Sequence, residues 1–117
     1  MTTTKKPKST KDPKKFYGPV ILTIGIRSLM KKHDHFSIFC VDCFQKHTRN
    51  DFGELCKDDR KLQMEIIKNK REGNIWSVWT EPKTQIKVWI ITSGYGNGRY
   101  SSDPNCCYTT IMEPSEY

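Results

Sequence analysis

No stretch of this chain approaches the ~20 consecutive apolar residues that a helix needs to cross a bilayer. The residues after Met1 are rich in Lys and Thr with no apolar segment behind them, so neither a membrane helix nor a secretory leader is expected, and the chain is expected to be cytoplasmic. Apolar residues are scarce altogether, at 35% of 117 residues, against roughly 45–50% in an ordinary globular domain. One small domain with a modest core follows, and a large enclosed active-site cleft does not. Cysteine occurs five times. An odd number argues against a disulfide framework and agrees with a reducing compartment. Acids are nearly missing from the N-terminus. Residues 1–15 carry Lys5, Lys6, Lys8, Lys11, Lys14 and Lys15 against Asp12, a charge of +5 out of the chain's +7.

That split assigns the basicity to an arm. Residues 1–15 hold no apolar residue after Met1, together with Pro7, Pro13 and several Thr and Ser, so ordering them would not be offset by burial, and a disordered basic arm is expected. It reads either as a solubilising leader or as an electrostatic arm whose six lysines bind nucleic acid or another polyanion, with the salt dependence that counterion release imposes.

Residues 16–117 read as a single α+β domain: two or three short helices packed on a small three-stranded antiparallel sheet. Phe16-Tyr17-Gly18-Pro19 marks the entry, and Val20-Ile21-Leu22-Thr23 reads as an edge strand or an extended segment. Ile24, Ile26, Leu29 and Met30 ahead of Lys31-Lys32 predict a helix over about 24–33, with Gly25 costing it ~1 kcal/mol. The clearest periodicity places Phe36, Phe39, Cys40, Cys43, Phe44 and His47 on one helical face, with Asp34 or Ser37 available as a cap. A third helix is expected from about Asp58, with its carboxylate as a cap, running through Leu62, Ile66 and Ile67 and ending on Lys68, Lys70 and Arg71 before Gly73. The period then changes. Ile75–Thr80 and Gln85–Thr92 form a hairpin across Glu81-Pro82-Lys83-Thr84, with Trp76 and Val78 opposite Ile75 and Trp79, and Trp89 and Ile91 opposite Val88 and Ile90. Both faces are apolar, so one packs on helices and the other is partly covered or used for contact. Ser93–Asn105 reads as a long mobile loop and Cys107–Met112 as the third strand.

Few constellations carry chemistry. Cys40-Val41-Asp42-Cys43 has the spacing of half a zinc knuckle, but a second half is missing, since Cys106-Cys107 is a vicinal pair and Cys56 stands apart. These read as reduced, buried small residues, and no metal or other cofactor is expected. His33-Asp34-His35 next to two lysines reads as a solvated helix end. His47 with Asp51 has the form of an oriented base, yet no nucleophile or oxyanion hole accompanies it, and a histidine that hydrogen-bonds its own loop is the plainer reading. Gly94-Tyr95-Gly96-Asn97-Gly98-Arg99-Tyr100 opens no helix and lacks the Lys-Ser/Thr of a phosphate loop. Its Tyr95, Arg99 and Tyr100, with Trp76 and Trp89 of the hairpin, are therefore the candidate partner-binding residues.

Several blocks of the chain resemble a known group. Lys46-His47, Asn50-Asp51-Phe52-Gly53-Glu54-Leu55, Asp58-Asp59, Val88-Trp89-Ile90-Ile91-Thr92 and Tyr108-Thr109-Thr110-Ile111-Met112-Glu113-Pro114-Ser115-Glu116-Tyr117 are similar to a family of short proteins carried on plasmids, prophages and other mobile elements of bacteria. The likeness covers residues 20–117. The chain departs from the family in its basic arm, in Asn50 and Phe52 where the family usually has Gly and Trp, and in an insertion over Gly94–Cys106. The resemblance implies a setting in which small non-enzymatic proteins inhibit host defence. The expected function is therefore an anti-CRISPR-type inhibitor that binds a CRISPR effector or its nucleic acid in the host cytoplasm, monomeric or as a homodimer. The alternative is a small nucleic-acid-binding or regulatory protein that uses the arm.

Overall fold

The structure, a computed structural model, describes residues 17–69, 72–95 and 107–117. The basic arm, Arg99 and Tyr100 lie outside the described residues. The elements run in the order β1 (Val20–Leu22), α1 (Ile24–Lys32), α2 (Asp34–Thr48), α3 (Lys57–Lys68), β2 (Gly73–Thr80), β3 (Lys87–Tyr95), β4 (Tyr108–Met112) and a 3-10 turn at Pro114–Glu116. No helix among the described residues is long and apolar enough to cross a membrane.

The fold is α+β with three helices, but the sheet has four strands and is mixed, in the order β1-β4-β3-β2. The expected three-stranded antiparallel sheet is corrected by β1, which pairs parallel to β4 with Ile21 opposite Thr110. Three residues are too short to show an alternation, and their partner lies about ninety positions away, so nothing local announces the pairing.

α2 buries the face its periodicity requires: Phe36, Cys40, Cys43, Phe44 and His47 are buried and Phe39 is partly so. The expected cap is replaced by His33, which ends α1 and begins α2 without a side-chain cap. The core lies between this face and one side of the sheet, where Trp79, Val88, Ile90 and Ile111 meet Tyr17 and Ile26. Burial pushes the thiols of Cys40 and Cys43 up to about 12, so both behave as small apolar side chains.

α3 packs through a polar residue. Leu62 is 60% exposed and the buried residue is Gln63. The reason is what α3 rests against. β2 is an edge strand, and a free strand edge needs donors and acceptors more than it needs apolar cover. Gln63 accepts from the Trp76 amide at 2.7 Å and donates to the Trp76 carbonyl at 2.9 Å, acting as a one-residue extra strand. Further along the same edge, Phe52 accepts from the Val78 amide and Glu54 donates to the Val78 carbonyl.

The hairpin connection is longer than the expected four residues and spans 81–86. Glu81 organises it. Its carboxylate is buried and accepts from the Lys83 amide, the Thr84 amide and the Thr84 hydroxyl, with His35 of α2 at 3.3 Å. Burial alone would raise this carboxyl, and those hydrogen bonds outweigh it and hold it down to about 2.

Candidate interaction surface

Alternation along β2, β3 and β4 determines which side chains leave the core. Cross-strand pairs Trp76–Ile91 and Val78–Trp89, then Trp89–Met112 and Ile91–Thr110, all lie on the face turned away from α2. Ile91 and Met112 are buried there, while Trp76 and Trp89 are half-exposed. Their rings meet edge-to-face with centroids 5.3 Å apart. Tyr117 completes the group, its ring 5.1 Å from Trp76 and 5.8 Å from Trp89, and it is 76% exposed. Edge-to-face packing places the positive edge of one ring on the negative face of the next and holds all three in place.

Tyr117 is delivered by a latch at the other end of the sheet. Glu113-Pro114-Ser115-Glu116 forms a capping box, and Glu116 also accepts from the Thr23 hydroxyl at 2.6 Å and the Gly25 amide at 2.8 Å. Thr23 is itself the N-cap of α1. The C-terminal turn thus supplies an anion to the positive end of α1. Burial tends to raise the Glu116 carboxyl, and hydrogen bonds from Thr23, Glu113 and Gly25 bring it below its ordinary value. Gly25 is explained by the same contact: a Cβ there would stand 2.7 Å from carboxylate oxygens of both Glu113 and Glu116. Helix propensity alone predicts that Gly25→Ala stabilises by ~1 kcal/mol. Displacing the Glu116 carboxylate costs more, because it gives up the hydrogen bonds from the Thr23 hydroxyl and the Gly25 amide, together about 2 kcal/mol. The substitution is therefore expected to lower thermal stability and to shift the tryptophan emission as Tyr117 loosens, both read in one fluorescence melt.

On the core side the sheet carries a polar chain. His47 is fully buried, with Nδ1 2.7 Å from the Ser77 hydroxyl and Nε2 2.9 Å from the Thr92 hydroxyl. The Trp79 indole N–H reaches Ser77 at 2.7 Å, Thr92 lies 2.8 Å from the Thr109 hydroxyl, and Thr109 donates to the Tyr17 carbonyl at 2.7 Å. The two ends determine every proton. The carbonyl only accepts, so Thr109 donates to it, Thr92 donates to Thr109, and His47 Nε2–H donates to Thr92. The indole only donates, so Ser77 accepts from it, and since burial keeps the imidazole neutral with its proton on Nε2, Nδ1 accepts from Ser77. His47 is thus the neutral Nε2–H tautomer with both nitrogens engaged. Burial pushes its imidazole down to about 3. Asp51 turns elsewhere, accepting from the Gly53 amide at 3.1 Å, so His47 and Asp51 form no dyad. His47 has no free nitrogen to serve as a base.

Of the candidate partner-binding residues, Trp76 and Trp89 come together on the outer face, and Tyr95 does not join them. Opposite β2 the register advances by one residue between Thr92 and Tyr95, where Gly94 takes φ 73°. The bulge rotates Tyr95 to the core side, half-buried with its ring 5.5 Å from Tyr17. It also shows that β3 continues to Tyr95, through the start of the expected loop. Tyr117 was not among the candidates, because nothing in a terminal tyrosine announces the latch that seats it. Among the described residues no group of three His, Cys, Asp or Glu side chains could hold a metal ion. No known family model, curated protein or solved structure matches the chain.

Proposed function

We propose that this protein works by binding a macromolecular partner through the outer face of its sheet, with Trp76, Trp89 and Tyr117 as anchors and without chemistry of its own. In the mobile-element setting that the sequence blocks resemble, the partner is a bacterial defence complex of the CRISPR-effector kind, which binding occludes. The observation that supports this reading is the three-ring cluster. It is an aromatic cluster on the sheet face turned away from α2, in a set of described residues with eleven bases and eleven acids. Aromatic residues dominate binding hot spots because they bury much area at little entropic cost. With no net charge behind it, such a face selects by shape and apolar contact.

Affinity capture from a host that carries several defence systems tests the proposal. The wild-type chain should retain a nuclease complex, Tyr117→Ala should weaken that retention at least about tenfold, and Trp89→Ala should abolish it. Retention unchanged in both variants would sink the outer face as the binding surface. The exposed position of Tyr117 keeps the first variant free of folding defects.

The charge split favours a second activity, nucleic-acid binding by the arm. A mobility shift that weakens steeply with salt and disappears on deletion of residues 1–15 would establish it, and no shift at low salt would remove it.

A further inference from the structure

The outer face continues past Trp76 into a pocket of about 420 Å³ lined by Leu55, Asp59, Leu62, Gln63 and Trp76. Its chemistry is uneven. Leu55, Leu62 and the indole make apolar walls, and both ends of the Gln63 amide are already spent on the Trp76 backbone. Asp59, exposed to solvent, is left as the one charged group on the lining, and among the described residues its carboxylate takes part in no ion pair or hydrogen bond. An unpaired carboxylate that shares a lining with Trp76 and two leucines is complementary to a cation that carries an apolar stem.

We infer that this pocket receives an arginine side chain of the partner protein, with the guanidinium stacked on Trp76 and paired to Asp59 and the methylene stem against Leu55 and Leu62. Arginine fits better than lysine for three reasons. Its planar guanidinium stacks on an indole face, where an ammonium does not. Its fork of N–H donors can engage both oxygens of one carboxylate. It is also more weakly hydrated, so entering a pocket with apolar walls removes less solvation. Its stem covers apolar surface as long cationic side chains commonly do. The inference deepens the binding reading above, since Trp76 belongs to both the pocket and the aromatic cluster.

Capped tripeptides Gly-Arg-Gly, Gly-Lys-Gly and Gly-citrulline-Gly serve as probes, titrated into the full chain while the Leu55 and Leu62 methyls and the Trp76 indole N–H are followed by NMR. The arginine peptide should give saturable shifts at all three positions. Affinity should fall about tenfold or more for the neutral citrulline peptide and for Asp59→Asn with the arginine peptide. It should be unchanged in Asp58→Asn, which lies next to the pocket without lining it. Absence of shifts at the leucine methyls, equal affinity for citrulline, or equal affinity for lysine would each overturn the assignment. If it fails while Tyr117→Ala still releases the captured complex, the pocket is refuted and the aromatic face stands. If both fail, the binding surface lies elsewhere.

Discussion

Acidification from pH 6.5 to 4.5 is expected to remove about 2 kcal/mol of folding stability, and the whole descent to pH 3 about 4 kcal/mol, through His47 alone. The imidazole ordinarily titrates near 6.5 and burial holds it down to about 3. Between those values the unfolded chain binds a proton that the folded chain refuses, so stability is complete about one pH unit above 6.5 and declines as pH falls. The carboxylates held below their ordinary values, Glu54, Glu81 and Glu116, add their losses only below about 4.5. The upper half of the window therefore belongs to the histidine. The hydrogen-bond chain explains why protonation is resisted beyond burial. A second ring proton would face the Ser77 hydroxyl, which already accepts from Trp79 and would have to turn its own hydrogen away from its only acceptor. Urea unfolding at half-unit pH steps measures the slope. His47→Gln should be less stable than wild type at pH 7 by about 1–3 kcal/mol, because Ser77 or Thr92 loses its bond to the imidazole in a dry core, and nearly flat between pH 6.5 and 4.5. A wild-type profile that is equally flat would contradict the buried neutral imidazole.

The second large effect is expected at Gly53. It adopts φ 62°, and a Cβ there would stand 2.2 Å from the Val78 carbonyl oxygen and 2.9 Å from the Trp79 ring. Left-handed backbone costs an alanine roughly 1–2 kcal/mol and the collision about 1–3 more. Neither neighbour yields, because one is strand backbone and the other an indole tethered to Ser77. Gly53→Ala should therefore destabilise by ~3 kcal/mol or more. It should also promote association, since the 52–54 segment that covers the β2 edge would be pushed off it and an unpaired edge recruits other strands. Thermal unfolding with light scattering reads both. Asn50, in the same turn at φ 68°, is the control. Asn50→Gly should stay within about 0.5 kcal/mol of wild type, so a comparable loss there would point to the turn as a whole and away from the Gly53 contact.

Much of this domain is legible locally. The spacing of Phe36, Phe39, Cys40, Cys43, Phe44 and His47 determines the buried face of α2, and the alternation of Trp76, Val78, Trp89 and Ile91 determines the outer face of the hairpin. Both are periodicities of one element and need no knowledge of its neighbours. The segregation of +5 onto residues 1–15 is equally a property of the sequence alone.

The tertiary structure decided what depends on two distant segments meeting. β1 is a strand only because β4 is beside it. Gln63 faces inward because α3 meets a backbone edge, which no helical periodicity in apolar residues can anticipate. Gly25 reads as a defect of α1 until Glu113 and Glu116 arrive over it from the other end of the chain. One glycine with positive φ, Gly94, turns Tyr95 away from the face of the two tryptophans, while Glu116 brings Tyr117 to them. The arrangement of polar partners around His47 belongs to the same class. The sequence supplies a histidine on an apolar face, and only the convergence of β2, β3 and β4 on α2 supplies the two hydroxyls that bond it directly and the third, Thr109, that completes the chain. Side-chain periodicity is written along one segment, whereas hydrogen-bond partnership is a relation between segments that closure of the chain alone can create.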